Sequence, residues 1–193
     1  MLGLGGVGAV LYATGGDPFK APGAAPAEKS DLARFARGPI AALETPAELA
    51  PAPDYVFRDR DGGEMRFADF RGKVTVVNLW AMWCAPCRTE MPTLAALATR
   101  YRQRADFVVA PINVDVGDDN IADARSFIGV HEPLPFYSDP QFQLPFEFPP
   151  RGKMPQTIVL DRDGRIRAWF AGEADWSSPE AIALFDALLA ETS

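Results

Sequence analysis

The sequence KVTVVNLWA, residues 73–81, restricts the possible folds more than any other part of this chain. It is an apolar, β-branched run with little alternation, which is typical of a central strand buried on both faces. From Pro86 to about Arg104 the apolar residues recur at helical spacing. The two patterns together predict an α/β fold in which a buried strand turns into a helix near residue 84.

The remaining segments extend this pattern into one domain. A β-hairpin is predicted over residues 55–67, a second buried strand over 106–115 and a helix over 120–130. Two strands joined at Asp163–Gly164 follow, and Ser178 is placed to cap a C-terminal helix. Alternating strands and helices followed by a terminal hairpin predict an α/β sandwich with a mixed central sheet.

The first 50 residues differ in composition from the rest. Residues 1–14 form an apolar segment that is too short to span a membrane and has no positive flank before it. We interpret it as the remnant of a membrane anchor, with a flexible Gly-rich leader as the alternative. Residues 15–50 have the composition of a linker and include a short helix that begins after Ser30. The folded domain is predicted over residues 51–193.

The charge and cysteine content exclude some classes of protein. The formal net charge is −7, and no cluster of Lys or Arg stands out in the sequence. Nucleic acid is therefore not an expected partner, because phosphate binding needs a basic surface. The chain has two cysteines, which are too few for a disulfide-stapled scaffold, so the fold must depend on its apolar core.

The two cysteines, Cys84 and Cys87, fall at the predicted strand-to-helix turn. The first turn of a helix has unpaired N–H groups and the positive end of the helix dipole, so it stabilises a thiolate. Cys84 is expected to be the exposed attacking sulfur, and Cys87, about one turn further on, to resolve the mixed disulfide. Pro86 fits the first turn because an N–H there has no helical partner.

Other uses of the cysteine pair stay open at this point. As a structural staple it would close a very short loop and contribute roughly 2 kcal/mol. Zinc normally takes four ligands, so a copper(I) dithiolate or a site shared between subunits is the remaining metal alternative. A cysteine nucleophile paired with a base would need His131, which we interpret as an ordinary surface residue.

Two further residues are candidates for the same site. Glu90 follows Cys87 by three positions and therefore lies on the same helix face, where a carboxylate could carry the proton of the Cys87 thiol. The alternative is a solvated surface glutamate. Pro155 stands directly before a β-branched strand, a position at which a cis peptide bond can occur.

The segments ADFRGKVTVVNLWAMWCAPCRTEMPTL and GKMPQTIVLDRDG resemble the TlpA/ResA/CcmG group of thioredoxin-like, membrane-tethered periplasmic thiol-disulfide oxidoreductases. The resemblance runs from about residue 30 to residue 190, and it is strongest to the TlpA proteins. It implies a thioredoxin-like α/β fold, with a mixed central sheet flanked by helices. The predicted N-terminal β-hairpin is an addition to that fold.

The resemblance also assigns the site residues. It implies that Cys84 and Cys87 form a redox disulfide as nucleophile and resolving thiol, and that Pro155 is a cis-proline facing it. Asn78 falls where ordinary thioredoxins have a buried aspartate, which favours Glu90 as the replacement proton carrier. No cofactor and no metal are expected. The residues expected at the substrate-binding surface are Trp83, Ala85, Pro86 and Met154.

The group's function gives expectations for partners and location. The resemblance implies a periplasmic reductase, anchored to the inner membrane by its N-terminal segment and reduced by a membrane protein of the DsbD/CcdA type. Its expected clients are protein disulfides in cytochrome or cytochrome-oxidase maturation: a Sco-type copper chaperone, an oxidase subunit or apocytochrome c. The proline-rich residues 141–153 depart from the family pattern. A disulfide oxidase and a Cu(I)-binding or delivery protein are the main alternatives, and a peroxidase is a weaker one.

Overall fold

The computed structural model describes residues 28–191. The predicted anchor remnant, residues 1–14, and the first part of the predicted linker lie outside the described residues. Within residues 28–191, no helix has both the length and the apolar character needed to cross a membrane.

The described part of the chain forms one seven-stranded sheet with helices packed against it. The strand order is β2-β1-β5-β4-β3-β6-β7. The strands are β1 (Phe57–Arg58), β2 (Glu64–Met65), β3 (Val74–Trp80), β4 (Phe107–Asn113), β5 (Tyr137–Ser138), β6 (Gln156–Leu160) and β7 (Ile166–Ala171). The α-helices are α1 (Ala85–Arg100), α2 (Asp118–Ile128), α3 (Leu144–Glu147) and α4 (Pro179–Ala190), and 3₁₀ helices span Asp31–Phe35, Gly38–Ile40 and Phe67–Phe70.

The central strand β3 has the environment that its sequence predicts. All seven of its residues are buried. It pairs in parallel with β4 and antiparallel with β6, which confirms the mixed sheet. The predicted N-terminal hairpin is confirmed as the antiparallel pair of β1 and β2. Ser178 caps α4 as predicted, because its side chain accepts a hydrogen bond from the N–H of Ala181.

Strand β4 contains a proline although it lies inside the sheet. Pro111 is opposite Asn78 of β3 in the parallel register. The N–H of Val114 points toward β3, where it donates to Trp80, and the carbonyl of Asn113 points the other way and accepts from Asp139. Because backbone groups alternate along a strand, Pro111 faces away from β3 like Asn113. Strand β5 pairs with β4 only beyond this proline, at Ile112 and Asn113.

Residues 28–50 pack against the domain instead of leading freely away from it. A 3₁₀ helix follows Ser30, where the short helix was predicted. Glu44 forms an antiparallel bridge with Trp169 of β7. The folded unit therefore begins before residue 51, because this segment has its own apolar side chains to bury. Its buried residues are Leu32, Phe35, Ile40 and Leu43.

Candidate active site

A disulfide joins Cys84 and Cys87 at the point where β3 turns into α1. Cys84 is the N-cap residue of α1, and the Cα atoms of the two cysteines are 5.3 Å apart. Pro86 lies in the first helical turn, as expected. Cys84, which was predicted to be exposed, is buried in the disulfide at 5% exposure, and Cys87 is completely buried. Cys84 is thus the less deeply buried of the two cysteines.

Two side chains form hydrogen bonds with the backbone of Met82, two residues before Cys84. The N–H of Met82 donates to Oδ2 of Asp115 at 2.7 Å, and its carbonyl accepts from Nη1 of Arg88. The buried Asp115 is itself held by Nδ2 of Asn113 at 2.7 Å. Sequence reasoning missed Asp115 and Arg88. The available signal was that Asp115 follows β4 at the same sheet edge at which Cys84 follows β3.

Glu90 lies in the interior and not on the surface of α1. Its side chain is 1% exposed, so the alternative of a solvated glutamate is excluded. Three donors surround the carboxylate: Nδ2 of Asn78 at 2.9 Å, the N–H of Ala174 at 3.2 Å and Nε1 of Trp176 at 3.1 Å. The structure therefore brings Asn78 and Glu90 together, as the comparison with ordinary thioredoxins suggested.

Burial changes the acidity of this carboxyl group. Loss of hydration raises the pKa of Glu90 from 4.5 to about 7, while the hydrogen bonds from Asn78, Ala174 and Trp176 oppose that rise. The negative charge of Glu173 adds to it slightly. A carboxyl group with a pKa near neutrality can both accept and donate a proton under physiological conditions.

The loop after β7 covers Glu90, and sequence reasoning did not identify it as part of the site. Trp176 is fully buried, and its backbone N–H donates to Oγ1 of Thr93 on α1. Oγ1 of Thr93 in turn donates to the carbonyl of Glu90. The loop and the helix are thus fastened together on both sides of the carboxylate. Trp176 follows Glu90 by 86 positions, so no local pattern connects the two residues.

Pro155 lies at the same sheet edge as the disulfide. The Met154–Pro155 peptide bond is cis, and Pro155 is buried. Leu79 of β3 pairs with Gln156 of β6, which places Pro155 beside the end of β3, just before the cysteine turn. The predicted substrate-binding residues are accessible at the surface: Trp83, Ala85 and Pro86 are exposed and Met154 is half-buried.

His131 does not behave as a free surface residue. It is half-buried, its ring lies 4.6 Å from that of Phe127, and Nδ1 is 2.9 Å from the carbonyl oxygen of Phe127. These contacts fasten His131 to the end of α2. They give it a packing role there.

Comparisons with known proteins agree with this site. A sequence model of the AhpC/TSA family matches residues 49–169. The thiol-disulfide oxidoreductase ResA of Geobacillus thermodenitrificans (strain NG80-2) is 31% identical over 121 residues, which are 63% of this chain and 67% of that protein. The match includes the strand, the cysteine pair and the helix described above.

Solved structures show the same architecture. A secreted thiol-disulfide isomerase from Corynebacterium glutamicum superposes with a TM-score of 0.64 at 26% identity, covering 77% of this chain and 92% of that one. A thiol:disulfide interchange protein DsbE from Chlorobium tepidum has a TM-score of 0.64 at 24% identity, covering 74% and 97% of the two chains, and this likeness concerns the fold. The chain therefore belongs to the AhpC/TSA family and is, within it, a ResA-like thiol-disulfide oxidoreductase of thioredoxin fold.

Proposed function

We propose that this oxidoreductase reduces disulfides of client proteins in the periplasm, held at the inner membrane by its N-terminal segment. The observation that carries the proposal is the Cys84–Cys87 pair at the first turn of α1, with the buried carboxyl group of Glu90 three positions after Cys87 on the same helix. A staple would have no use for a group of neutral pKa in that position. A redox dithiol, in contrast, must gain and lose a proton in each cycle, and a carboxyl group of neutral pKa can carry that proton.

The first step takes place at Cys84. Its thiolate, stabilised by the unpaired N–H groups of the helix terminus, attacks one sulfur of the client disulfide. The client S–S bond breaks and a bond forms between Cys84 and the client. The sulfur that leaves the client departs as a thiolate and takes up a proton from water.

The second step takes place at Cys87. Its thiol gives its proton to the carboxylate of Glu90 and then attacks the sulfur of Cys84. The bond between Cys84 and the client breaks, the second client sulfur leaves as a thiolate, and the Cys84–Cys87 disulfide forms. Two electrons have passed from the dithiol to the client. A membrane reductant of the DsbD/CcdA type is proposed to restore the dithiol.

Asn78 supports Glu90 in both protonation states. In the structure its Nδ2 donates to Oε1 of Glu90 and to Oγ1 of Thr157. Its Oδ1 is buried and has no hydrogen-bond partner among the described residues. If Glu90 takes up the proton, rotation of the Asn78 amide lets Oδ1 accept the new O–H. The same rotation moves Nδ2 away from Oε1 of Glu90 and from Oγ1 of Thr157, so the new O–H bond to Oδ1 replaces the Nδ2 bond to Glu90.

The proposed clients are proteins of cytochrome or cytochrome-oxidase copper-site maturation, and the resemblance to the TlpA/ResA/CcmG group supports this choice. The description of the C. glutamicum protein as secreted supports a site of action outside the cytoplasm. The test is capture of clients from periplasmic extract with Cys87→Ser, which is expected to retain them as mixed disulfides on Cys84. Cys84→Ser is the matched control and should retain none. Equal capture by both variants would overturn the assigned roles.

Equilibration with glutathione tests the direction of the reaction. A reductase is expected to have a potential closer to the roughly −270 mV of thioredoxin than to the roughly −120 mV of DsbA. A potential as high as that of DsbA would replace the proposed reductase by the alternative disulfide oxidase.

A further inference from the structure

Large exposed apolar side chains are concentrated beside the disulfide. Of the four in the described part of the chain, Trp83, Val116 and Phe146 belong to this group, and Val130, which follows α2, does not. Trp83 and Val116 line one surface cavity of about 280 Å³ together with Phe142, and Val114, Asp115 and Asn120 complete its lining. The ring of Phe142 packs edge-on against two other rings. Its centroid is 6.1 Å from that of Trp83 and 5.7 Å from that of Phe146. We call Trp83, Val116, Phe142 and Phe146 the aromatic shelf.

The shelf is held in place by buried structure. Phe142 has a φ of 55°, a left-handed conformation that a bulky residue rarely adopts, so its surroundings must enforce it. The fully buried Asp139 does so, because Oδ2 accepts the N–H groups of Gln143 and Leu144, both at 2.8 Å. Its Oδ1 accepts the hydroxyl of Tyr55 at 2.7 Å.

A glycine makes room for the other end of the shelf. Gly152 has a φ of 71°, and its N–H donates to the carbonyl of Pro145. A Cβ at this position would lie 3.3 Å from Cε1 of Phe146. The backbone thus closes tightly behind the ring and leaves the ring nearly half exposed, at 46%. A strained residue, a buried carboxylate and a glycine all serve to present aromatic side chains to solvent.

The position of the shelf indicates what it binds. Trp83 directly precedes Cys84, so a client bonded to Cys84 must run across this part of the surface. Asp118, Asp119 and Glu147 follow the shelf residues closely in the sequence and are exposed, so acidic client segments are disfavoured there. Aromatic residues at the centre of a contact surface bind best to other apolar side chains.

We propose that the aromatic shelf selects clients that have a large apolar side chain, in a neutral or basic segment, a few residues from the reactive cysteine. That side chain enters the cavity between Trp83, Val116 and Phe142. The proposal rests on the proposed function, because the client is placed by its bond to Cys84. It assigns client choice to Trp83 and Val116 together with Phe142 and Phe146, which lie between β5 and β6.

The test uses the full chain and three peptides that carry the same glutathione mixed disulfide. The peptides differ in one residue near the cysteine, which is phenylalanine, alanine or aspartate. The wild type is expected to show a kcat/KM about tenfold higher for the phenylalanine peptide than for the alanine peptide, and lowest for the aspartate peptide. Phe142→Ala should reduce this preference to about twofold or less. Val116→Ser, which alters the shelf from a different segment, should reduce it as well.

Val130→Ala is the matched control, since Val130 is also exposed but does not line the cavity. It should keep the wild-type preference, and an equal loss in this variant would overturn the proposal. If the wild type reduces all three peptides equally well, the proposed client selection by the aromatic shelf is overturned, but the proposed function is not. A wild type that reduces none would overturn the proposed function and the shelf with it. A wild-type dimer that Phe142→Ala dissociates would assign the surface to a second copy of the chain and also overturn the proposal.

Discussion

The two sides of the disulfide are built in opposite ways. Behind Cys87 the structure is closed and polar, and the carboxylate of Glu90 is surrounded by donors and shielded from water. In front of Cys84 it is open and apolar, and the aromatic shelf reaches solvent. The proposed cycle accounts for this contrast, because it has two different tasks. A proton carrier needs a dry site that shifts its pKa, whereas a client needs an accessible surface with little charge.

Each side also uses a buried carboxylate, and the two carboxylates do different work. Asp139 accepts backbone N–H groups of its own loop and thereby determines the shape of that loop. Glu90 accepts one donor from β3, the strand just before α1, and two from the loop after β7, which are 84 and 86 positions away in the sequence. In the proposed cycle, Asp139 organises the outer side and Glu90 carries the proton on the inner side. The following predictions test this division, from the largest expected effect to the smallest.

On the inner side, Glu90 should lower the free energy of unfolding of the protein as the pH rises. Because the folded pKa of Glu90, about 7, is above its ordinary 4.5, stability is complete below pH 4.5 and falls as the pH rises to 7. The full difference corresponds to about 3 kcal/mol. Urea unfolding of the oxidised protein at pH 4.5 and pH 8 should show this loss in the wild type but not in Glu90→Gln. If the free energy of unfolding depends on pH in the same way in both proteins, Glu90 does not cause the loss.

Glu90→Gln should also slow the release of clients. An amide cannot accept the proton of Cys87, so resolution of the mixed disulfide is expected to be about a hundredfold slower at pH 7, or roughly 2.7 kcal/mol. Attack by Cys84 should slow far less, because it takes place on the other side. Stopped-flow measurement of both steps with one client separates them. An equal effect on both steps would contradict the division.

On the outer side, Asp139→Asn should affect structure and not proton transfer. One carboxylate oxygen becomes an amide nitrogen that faces N–H donors, so we expect a loss of about 2 kcal/mol in the free energy of unfolding. The rate of resolution of the mixed disulfide should stay unchanged, unlike in Glu90→Gln. Asp119→Asn, an exposed residue of α2, is the control and should have little effect. A change in the pH dependence of resolution would show that Asp139 also takes part in the chemistry.

The smallest effect is expected from Trp176→Phe. The change removes one donor to Glu90, worth about 1 kcal/mol, and keeps a ring that can pack against Phe170 and Phe185. Since the lost hydrogen bond stabilises the charged form, the pKa of Glu90 should rise further. The pH profile of resolution should therefore move upward by roughly half a unit to one unit. Trp169→Phe, which removes an indole that does not contact Glu90, should leave the profile in place.

The parts of the fold that local sequence determines could be predicted. Strand β3 and the helix after it follow from a β-branched run and a 3.6-residue period, and the cap at Ser178 follows from its neighbours. The location of Cys84 and Cys87 at the helix terminus depends only on these elements. The chain order of the long strands and helices was therefore correct. Strand β5 and helix α3 were missed because two and four residues are too few to show a period.

The interior of the site could not be predicted in the same way. The burial of Glu90 depends on Ala174 and Trp176, which only the closed sheet brings to α1. The role of Asp115 likewise depends on the parallel pairing of β3 and β4. Residues 28–50 look like a linker by composition, yet Leu32 and Ile40 are fully buried. Only tertiary contacts distinguish such a segment from a spacer.

The proline in β4 has a consequence for the behaviour of the protein in a crowded compartment. An unpaired strand border offers a row of amide donors to which a foreign strand can add, and such addition leads to aggregation. Pro111 has no amide hydrogen and faces that border, where β5 has not yet begun. The row of amide donors therefore lacks one member at this position. A foreign strand that approaches this border of β4 finds one amide donor fewer, which makes its addition to the sheet less favourable.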